Sequence, residues 1–365
     1  MRALDQGHRV SVFVSERESL QAPLKRLNEA GARLHFWKTN YPALHFFQRI
    51  TKKLSGRGLP EWEWWHDNLP KNADVICLNQ GGALCGPMRH GLTEAIQALG
   101  RPYVVLARAD TGFEFLTERT RPHVRQFFEG AQAFVSASQS AVELLRIYLP
   151  SKLPNAQVLH SPLADYDATL DARRSTLDPS EVIEMACVGR LRVGDKGQHL
   201  LLACLAEEPW RSRSFRLSFY GEGPDRKYLE ELVEFYGLGD KVCLAGHTSD
   251  IAGIWKRSHL AVQPSFVEGA PQSLLEAMLC CRPCVATAVS GIPEWVEEGK
   301  TGFLAEAPTV HHLRLALERA WENRHRSEEM GEAARAACLA KCDPDPAGTL
   351  LELLCEAAMQ LRTDY

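Results

Sequence analysis

Pro264-Ser265-Phe266-Val267-Glu268-Gly269-Ala270-Pro271-Gln272-Ser273-Leu274-Leu275-Glu276-Ala277-Met278 reads as the end of a strand, a tight turn at Gly269 and a helix that starts near Pro271. Proline suits a first helical turn, because the N–H it lacks has no partner there in any case. The free amides of residues 270–273, at the positive end of the helix, suit an anion such as a diphosphate. Glu268 at the strand end and Glu276 inside the helix are strong acceptors for sugar or ribose hydroxyls. The same residues also read as an amphipathic helix with a solvent-facing Glu276.

Outward from this stretch, strand-like and helix-like runs alternate along all 365 residues, the pattern of α/β layers with mostly parallel sheets. Strands are expected at Arg9–Val14, Arg33–Trp37, Asp74–Asn79, Pro102–Ala107, Ala133–Ala137 and Gln157–His160. A second series runs through Val182–Val188, Phe215–Tyr220, Val242–Leu244, Leu260–Gln263, Pro283–Thr287 and Thr301–Leu304. Two wound domains follow, at 1–163 and 182–345, with a polar linker over 164–181 and a C-terminal helix in 346–365 that packs back toward the first domain. The length suits two domains of about 100–200 residues. With 45% hydrophobic and 24% charged residues, the chain is of globular rather than disordered or coiled-coil composition. Eleven cysteines, an odd number without a short disulfide framework, favour a reducing compartment and buried thiols. No run approaches the roughly 18 apolar residues of a membrane span, and no signal-peptide pattern is present.

A second motif, Cys187-Val188-Gly189-Arg190-Leu191-Arg192-Val193-Gly194-Asp195-Lys196-Gly197, puts Arg190 and Lys196 at the C-terminal edge of a strand, where open α/β sheets bind ligands. Two surface cations on a loop is the plain alternative. The stretch is not a P-loop, since Asp195 intervenes after Gly194 and Gly197 follows Lys196. Gly221-Glu222-Gly223-Pro224 resembles the start of a dinucleotide fingerprint, but Arg226 stands where the third glycine belongs.

Together with Ser290-Gly291-Ile292-Pro293-Glu294 and Glu298-Gly299-Lys300-Thr301-Gly302-Phe303, these motifs occur in the order and spacing of glycosyltransferase family 4, which the chain resembles over about 182–340. Weaker support comes from Gly7-His8-Arg9-Val10, Asn79-Gln80-Gly81-Gly82 and Phe134-Val135-Ser136. The resemblance implies a GT-B fold, two Rossmann-like domains facing each other across a cleft, and a retaining enzyme that moves a sugar from a nucleotide-diphosphate sugar. It implies that Arg190 and Lys196 grip the donor diphosphate, with Gly189 and Gly221 beside them. It likewise implies that Glu268 and the Gly269, Ala270, Pro271, Gln272 and Ser273 turn lie by the transferred sugar and phosphates, and Glu276 on the ribose. By the same resemblance the nucleobase is expected near Gly246-His247-Thr248-Ser249. Transfer by front-face displacement needs no side-chain nucleophile, and two cations plus a helix N-terminus meet the leaving-group charge without a metal cofactor. Asp165/Asp167 and Asp343/Asp345 are read as chance matches to a metal-binding Asp-x-Asp.

The chain departs from the family in two places. Arg108-Ala109-Asp110 stands where many relatives carry a histidine near the sugar, so Arg108 is a candidate contact, with a loop salt bridge as the alternative. The chain also opens on a helix tail, Met1–Gly7, in place of a first strand and Gly-rich turn. The expectation is either a true start further upstream or a GT-B protein that binds a nucleotide sugar or a partner without transfer.

Residues 1–160 hold 20 basic and 14 acidic side chains, net +6, whereas 161–365 hold 22 and 32, net −10. The basic half suits an anionic acceptor, saccharide or lipid-linked, or is scattered solvated charge. Phe46–Leu54 and Trp62–Trp65 read as a peripheral membrane contact or as a helix burying Leu44, Phe47, Ile50 and Leu54. The expected setting is cytoplasmic, at the inner face of a membrane where polysaccharide or glycolipid is made, with no nucleic-acid partner. Cys281-Arg282-Pro283-Cys284 is read as buried thiols, because no second pair lies at zinc spacing.

Overall fold

The computed structural model describes residues 1–15, 22–37, 69, 71–82, 92–109, 116–160, 182–269 and 271–363. The expected linker at 164–181 and the aromatic and basic stretch from Phe46 to Trp65 lie outside them. The chain divides into two compact units, Met1–Cys77 with Gly86–Val104 and Ala347–Tyr365, and Leu78–Cys85 with Val105–Pro346.

A short Arg2–Asp5 helix leads into β1 (Ser11–Ser15), which pairs in parallel with β2 (Arg33–Trp37), Ser11 opposite Arg33, through the Ala22–Glu29 helix. A four-stranded sheet follows, in the order β3 (Ile76–Gly82), β4 (Tyr103–Ala109), β5 (Ala133–Ser136), β6 (Ala156–Val158). Its crossovers use the helices Leu92–Leu99, Arg121–Glu129 and Gln139–Tyr148. The Phe128 ring packs edge-on against Phe127 and Phe134, at centroid distances of 5.3 and 4.9 Å. All three side chains are fully buried, and each contributes about 1.5–3 kcal/mol by leaving water.

The largest sheet holds β7 (Ile183–Val188), β8 (Phe215–Tyr220), β9 (Val242–Gly246), β10 (Leu260–Gln263), β11 (Cys284–Thr287) and β12 (Gly302–Ala305). Its order is β12-β11-β10-β7-β8-β9, every pairing parallel. Both faces are covered, which accounts for the nearly continuous apolar strands. Leu201, Leu217, Phe219 and Leu317 belong to one core, while Ala186, Trp255, Leu275, Met278 and Ala286 belong to the other. From β7 the chain winds outward to β9, then crosses back to β10 on the other side of β7. Strand order therefore reverses between β7 and β10, and a crevice opens at the C-terminal ends of such a pair. The loops that follow these two strands carry Arg190, Lys196 and Glu268.

The helix begins next to Pro271, as the sequence reading has it. That proline is the N-cap, and the helix runs Gln272–Leu279, because the Leu274 and Leu275 amides both close on the Pro271 carbonyl. The helix after Gly221–Pro224 starts only at Arg226. Among the described residues no helix is long and apolar enough to cross a membrane.

Candidate active site

Backbone hydrogen bonds stitch the loops at the reversal point together. After β7, the Gly189 amide donates to Tyr220 O (2.9 Å) and the Leu191 amide to Glu222 O (3.0 Å). The Gly221 amide donates in turn to Gly246 O (2.9 Å), which joins the loop after β9. Gly221 has φ +138°, and a Cβ there would stand 2.1 Å from Gly189 O, so no side chain fits. Asp225 accepts the Val193 amide on its carboxylate at 2.8 Å, which anchors the turn carrying Lys196. A Cβ on Gly197 would meet Pro264 O at 1.9 Å, and the Phe266 amide donates to Asp195 O (2.8 Å), so the loops after β7 and β10 touch backbone to backbone.

Lys196 Nζ donates to Glu268 Oε1 at 2.6 Å, the Lys196 side chain 24% exposed and Glu268 7%. The same oxygen accepts Gln263 Nε2 and Ser265 Oγ, each at 2.6 Å. Gln263 is held by Ser273 Oγ on its own carbonyl oxygen (3.2 Å), and Thr287 Oγ1 donates to Ser265 O (2.5 Å). The Glu268 amide donates to Ser290 Oγ (3.3 Å), with Ser290 at φ +50°. Each buried polar group in this rack has a partner, as a low-dielectric site demands. Lys196 keeps two further N–H donors for a ligand. Arg190 is exposed, and its guanidinium makes no ion pair among the described residues, while its carbonyl is fixed by Gln198 Nε2 at 2.8 Å.

Glu276 lies inside the Gln272–Leu279 helix, where burial raises its carboxyl from 4.5 to about 7. Gly269 follows Glu268 in the turn, and Gln272 opens the Gln272–Leu279 helix. Gly246, at φ +77°, ends β9. His247 is exposed, and Thr248 Oγ1 accepts the Asp250 amide (3.1 Å) in the cap of the next helix. Ala270 lies outside the described residues; Arg108 is on β4, its side chain outside them.

Gln263, Ser265, Thr287 and Ser290 escaped the sequence reading as site residues, although Ser265 lies inside the deciding stretch. Glu294 gains a role from the structure: its two carboxylate oxygens accept the Ser140 and Gln139 amides at 2.8 and 3.0 Å, at the start of the Gln139–Tyr148 helix. Asp343 accepts the Asp345 amide (2.7 Å) in a turn. Cys281 and Cys284 are buried, the Cys284 thiol pushed up to about 12 by burial. Among the described residues no three His, Cys, Asp or Glu side chains cluster as metal ligands.

Residues 170–337 match the family model of glycosyl transferases group 1. Alpha-D-kanosaminyltransferase of Streptomyces kanamyceticus is 31% identical over 191 residues, 51% of this chain and 49% of that protein. N-acetyl-alpha-D-glucosaminyl L-malate synthase of Bacillus anthracis is 32% identical over 120 residues, 33% of this chain and 32% of that protein. The chain thus spans about half or less of the length of these curated relatives. Among solved structures, Anabaena Alr3699/HepE in complex with UDP superposes with a TM-score of 0.69 at 19% identity, covering 99% of this chain and 94% of that one. The fold is that of the GT-B glycosyltransferases. Strand order, loop geometry and sequence agree, and over residues 170–337, just under half of the chain, the protein is similar to the group 1 glycosyltransferases.

Proposed function

We propose that the chain transfers a sugar, with retention, from a nucleotide-diphosphate sugar to a saccharide or lipid-linked acceptor, in the synthesis of a cell-surface polysaccharide or glycolipid. The observation that carries this reading is that the loops after β7 and β10, at the strand-order reversal, carry the Lys196–Glu268 pair and an exposed Arg190 that makes no ion pair among the described residues. In this reading Arg190 and the two remaining Lys196 donors hold the diphosphate, and the Gly269 to Ser273 turn adds its amides and the positive helix end. As the bond from the anomeric carbon to phosphate oxygen breaks, the negative charge on the leaving diphosphate grows and meets these preorganised cations, so this reading assigns the role to no metal. The acceptor hydroxyl attacks from the same face, and its proton passes to the departing phosphate oxygen.

Glu276 takes the ribose hydroxyls, and the turn through His247 and Thr248 borders the base. The UDP bound by the Anabaena neighbour supports a UDP-sugar as the first donor to screen, before GDP- and ADP-sugars. A contact with the inner face of a membrane is part of the proposal, and flotation with anionic liposomes tests it. Arg190→Ala removes a charge-assisted contact of about 1.5–3 kcal/mol, so donor turnover falls roughly ten- to more than a hundredfold while the melting temperature holds. The assay is donor hydrolysis and transfer with and without EDTA. Full turnover by purified Arg190→Ala overturns the leaving-group role, and loss of wild-type turnover with EDTA overturns the metal-free one.

A further inference from the structure

We propose that Cys338 and Cys342 form a dithiol site for thiol–disulfide exchange with low-molecular-weight disulfides of the glutathione class. The two sulfurs lie 3.6 Å apart, one helical turn from each other at the end of the Ser327–Lys341 helix. Residues so spaced have Cα atoms about 6 Å apart, inside the roughly 4.4–6.8 Å that a disulfide spans. Closing the bond to about 2.05 Å needs only a small shift of one sulfur. Cys342 is free to supply it. It is the C-cap, already extended at φ −69° and ψ 131°, and Pro344 follows where a helix cannot continue.

The two thiols differ in the way an exchange site requires. Cys338 is fully buried, with its sulfur 3.9 Å from Leu275 O of the Gln272–Leu279 helix, whereas Cys342 is only half-buried. The two sulfurs lie within hydrogen-bonding reach, either able to donate, and this contact lowers the pKa of Cys342 below the ordinary thiol value, while the same contact and burial raise that of Cys338. Cys342 is thus the attacking sulfur and Cys338 the resolving one. In the first step the Cys342 thiolate attacks one sulfur of the small disulfide, forms a mixed disulfide and releases one small thiolate. In the second step Cys338 loses its proton to that thiolate or to solvent and attacks the Cys342 sulfur, expelling the second small thiol. Two protein thiols and one disulfide become one protein disulfide and two small thiols, so atoms and electrons balance.

The site can be read by mass spectrometry on the folded chain, because trypsin cuts after Arg335 and Lys341 and separates the two cysteines onto peptides 336–341 and 342–362. Cys355 shares the second peptide, so the measurement uses a Cys355→Ser background. After incubation with glutathione disulfide and alkylation of remaining thiols, the two peptides are expected to be joined. Cys338→Ser is expected to stop at a stable glutathione adduct on Cys342, and Cys342→Ser to leave Cys338 unmodified. Absence of the joined peptides overturns the proposal, whether both thiols are simply alkylated or the Cys342 adduct persists as in Cys338→Ser. So does oxidation of Cys338 in Cys342→Ser to the wild-type extent, a result that does not depend on how well Cys338→Ser folds.

Discussion

Removing Glu268 tests the reasoning about the site most directly. Its Oε1 accepts Lys196, Gln263 and Ser265, each at 2.6 Å, and its side chain is 7% exposed. Glu268→Ala leaves an ammonium, an amide and a hydroxyl without their acceptor. Breaking a buried pair on one side costs about 3–5 kcal/mol, most of it the penalty for the charge left behind. Lys196 is 24% exposed and can turn partly to water, which favours the lower end of that range. For a unit of this size the loss lowers the melting temperature by about 6–20 °C, taking about 2–4 °C per kcal/mol. Lys196→Met costs less, because the carboxylate keeps two donors, Gln263 and Ser265. The assay is urea unfolding of wild type, Glu268→Ala, Lys196→Met and the double variant, which isolates the pair. Groups in contact couple by about 0.5–3 kcal/mol, and this geometry places the pair in the upper half of that range. A coupling within experimental error of zero, or a Lys196→Met cost that exceeds that of Glu268→Ala, refutes the account of Glu268 as the shared acceptor.

Gly221→Ala is expected to cost about 2 kcal/mol or more in urea unfolding, since its Cβ would stand 2.1 Å from Gly189 O at φ +138°, while Gly239→Ala, with open space around it, stays near zero. Glu276→Gln removes an ionisation that the folded state opposes. The wild-type carboxyl sits at about 7 when folded against 4.5 as its ordinary value, so its ionisation costs stability as pH rises through that window. The melting temperature of Glu276→Gln minus that of wild type therefore climbs between about pH 5 and 7 and levels above; a flat or falling difference contradicts the burial account. Glu294→Ala uncaps the Gln139–Tyr148 helix at a cost of about 0.5–2 kcal/mol, and the Gln139 and Ser140 amides should lose their protection in hydrogen exchange.

The architecture was largely legible in the sequence, because β-branched and apolar runs between Gly and Pro punctuation mark buried parallel strands whatever their partners. Each expected strand has a counterpart, with Phe215–Tyr220 and Leu260–Gln263 matching to the residue and Arg9–Val14 shifted to Ser11–Ser15. The positions of Lys196 and Glu268 were legible too, through their place after β7 and β10. Their direct ion pair was not, because it joins residues 72 apart through a strand order that no local pattern encodes. Gln263, Ser265, Thr287 and Ser290 left no periodic signal: each is a single polar residue whose role exists only once its acceptors arrive from other loops. Gly221 looked like the opening of a dinucleotide fingerprint, and its physical requirement is instead the approach of Gly189 O. Pro271 marked the helix start to within a residue, and its carbonyl begins the helix ladder.

The three donors gathered on Glu268 Oε1 have a consequence for what this carboxylate can recognise. With one oxygen saturated, only Oε2 remains to meet a ligand, so Glu268 cannot chelate a cation or grip a guanidinium through both oxygens. Its remaining lone pairs suit one or two hydroxyl hydrogens approaching from a single side. A group that is formally an anion thereby behaves toward its ligand as a directional single-atom acceptor, one that selects for where a hydroxyl points rather than for how much positive charge a ligand carries.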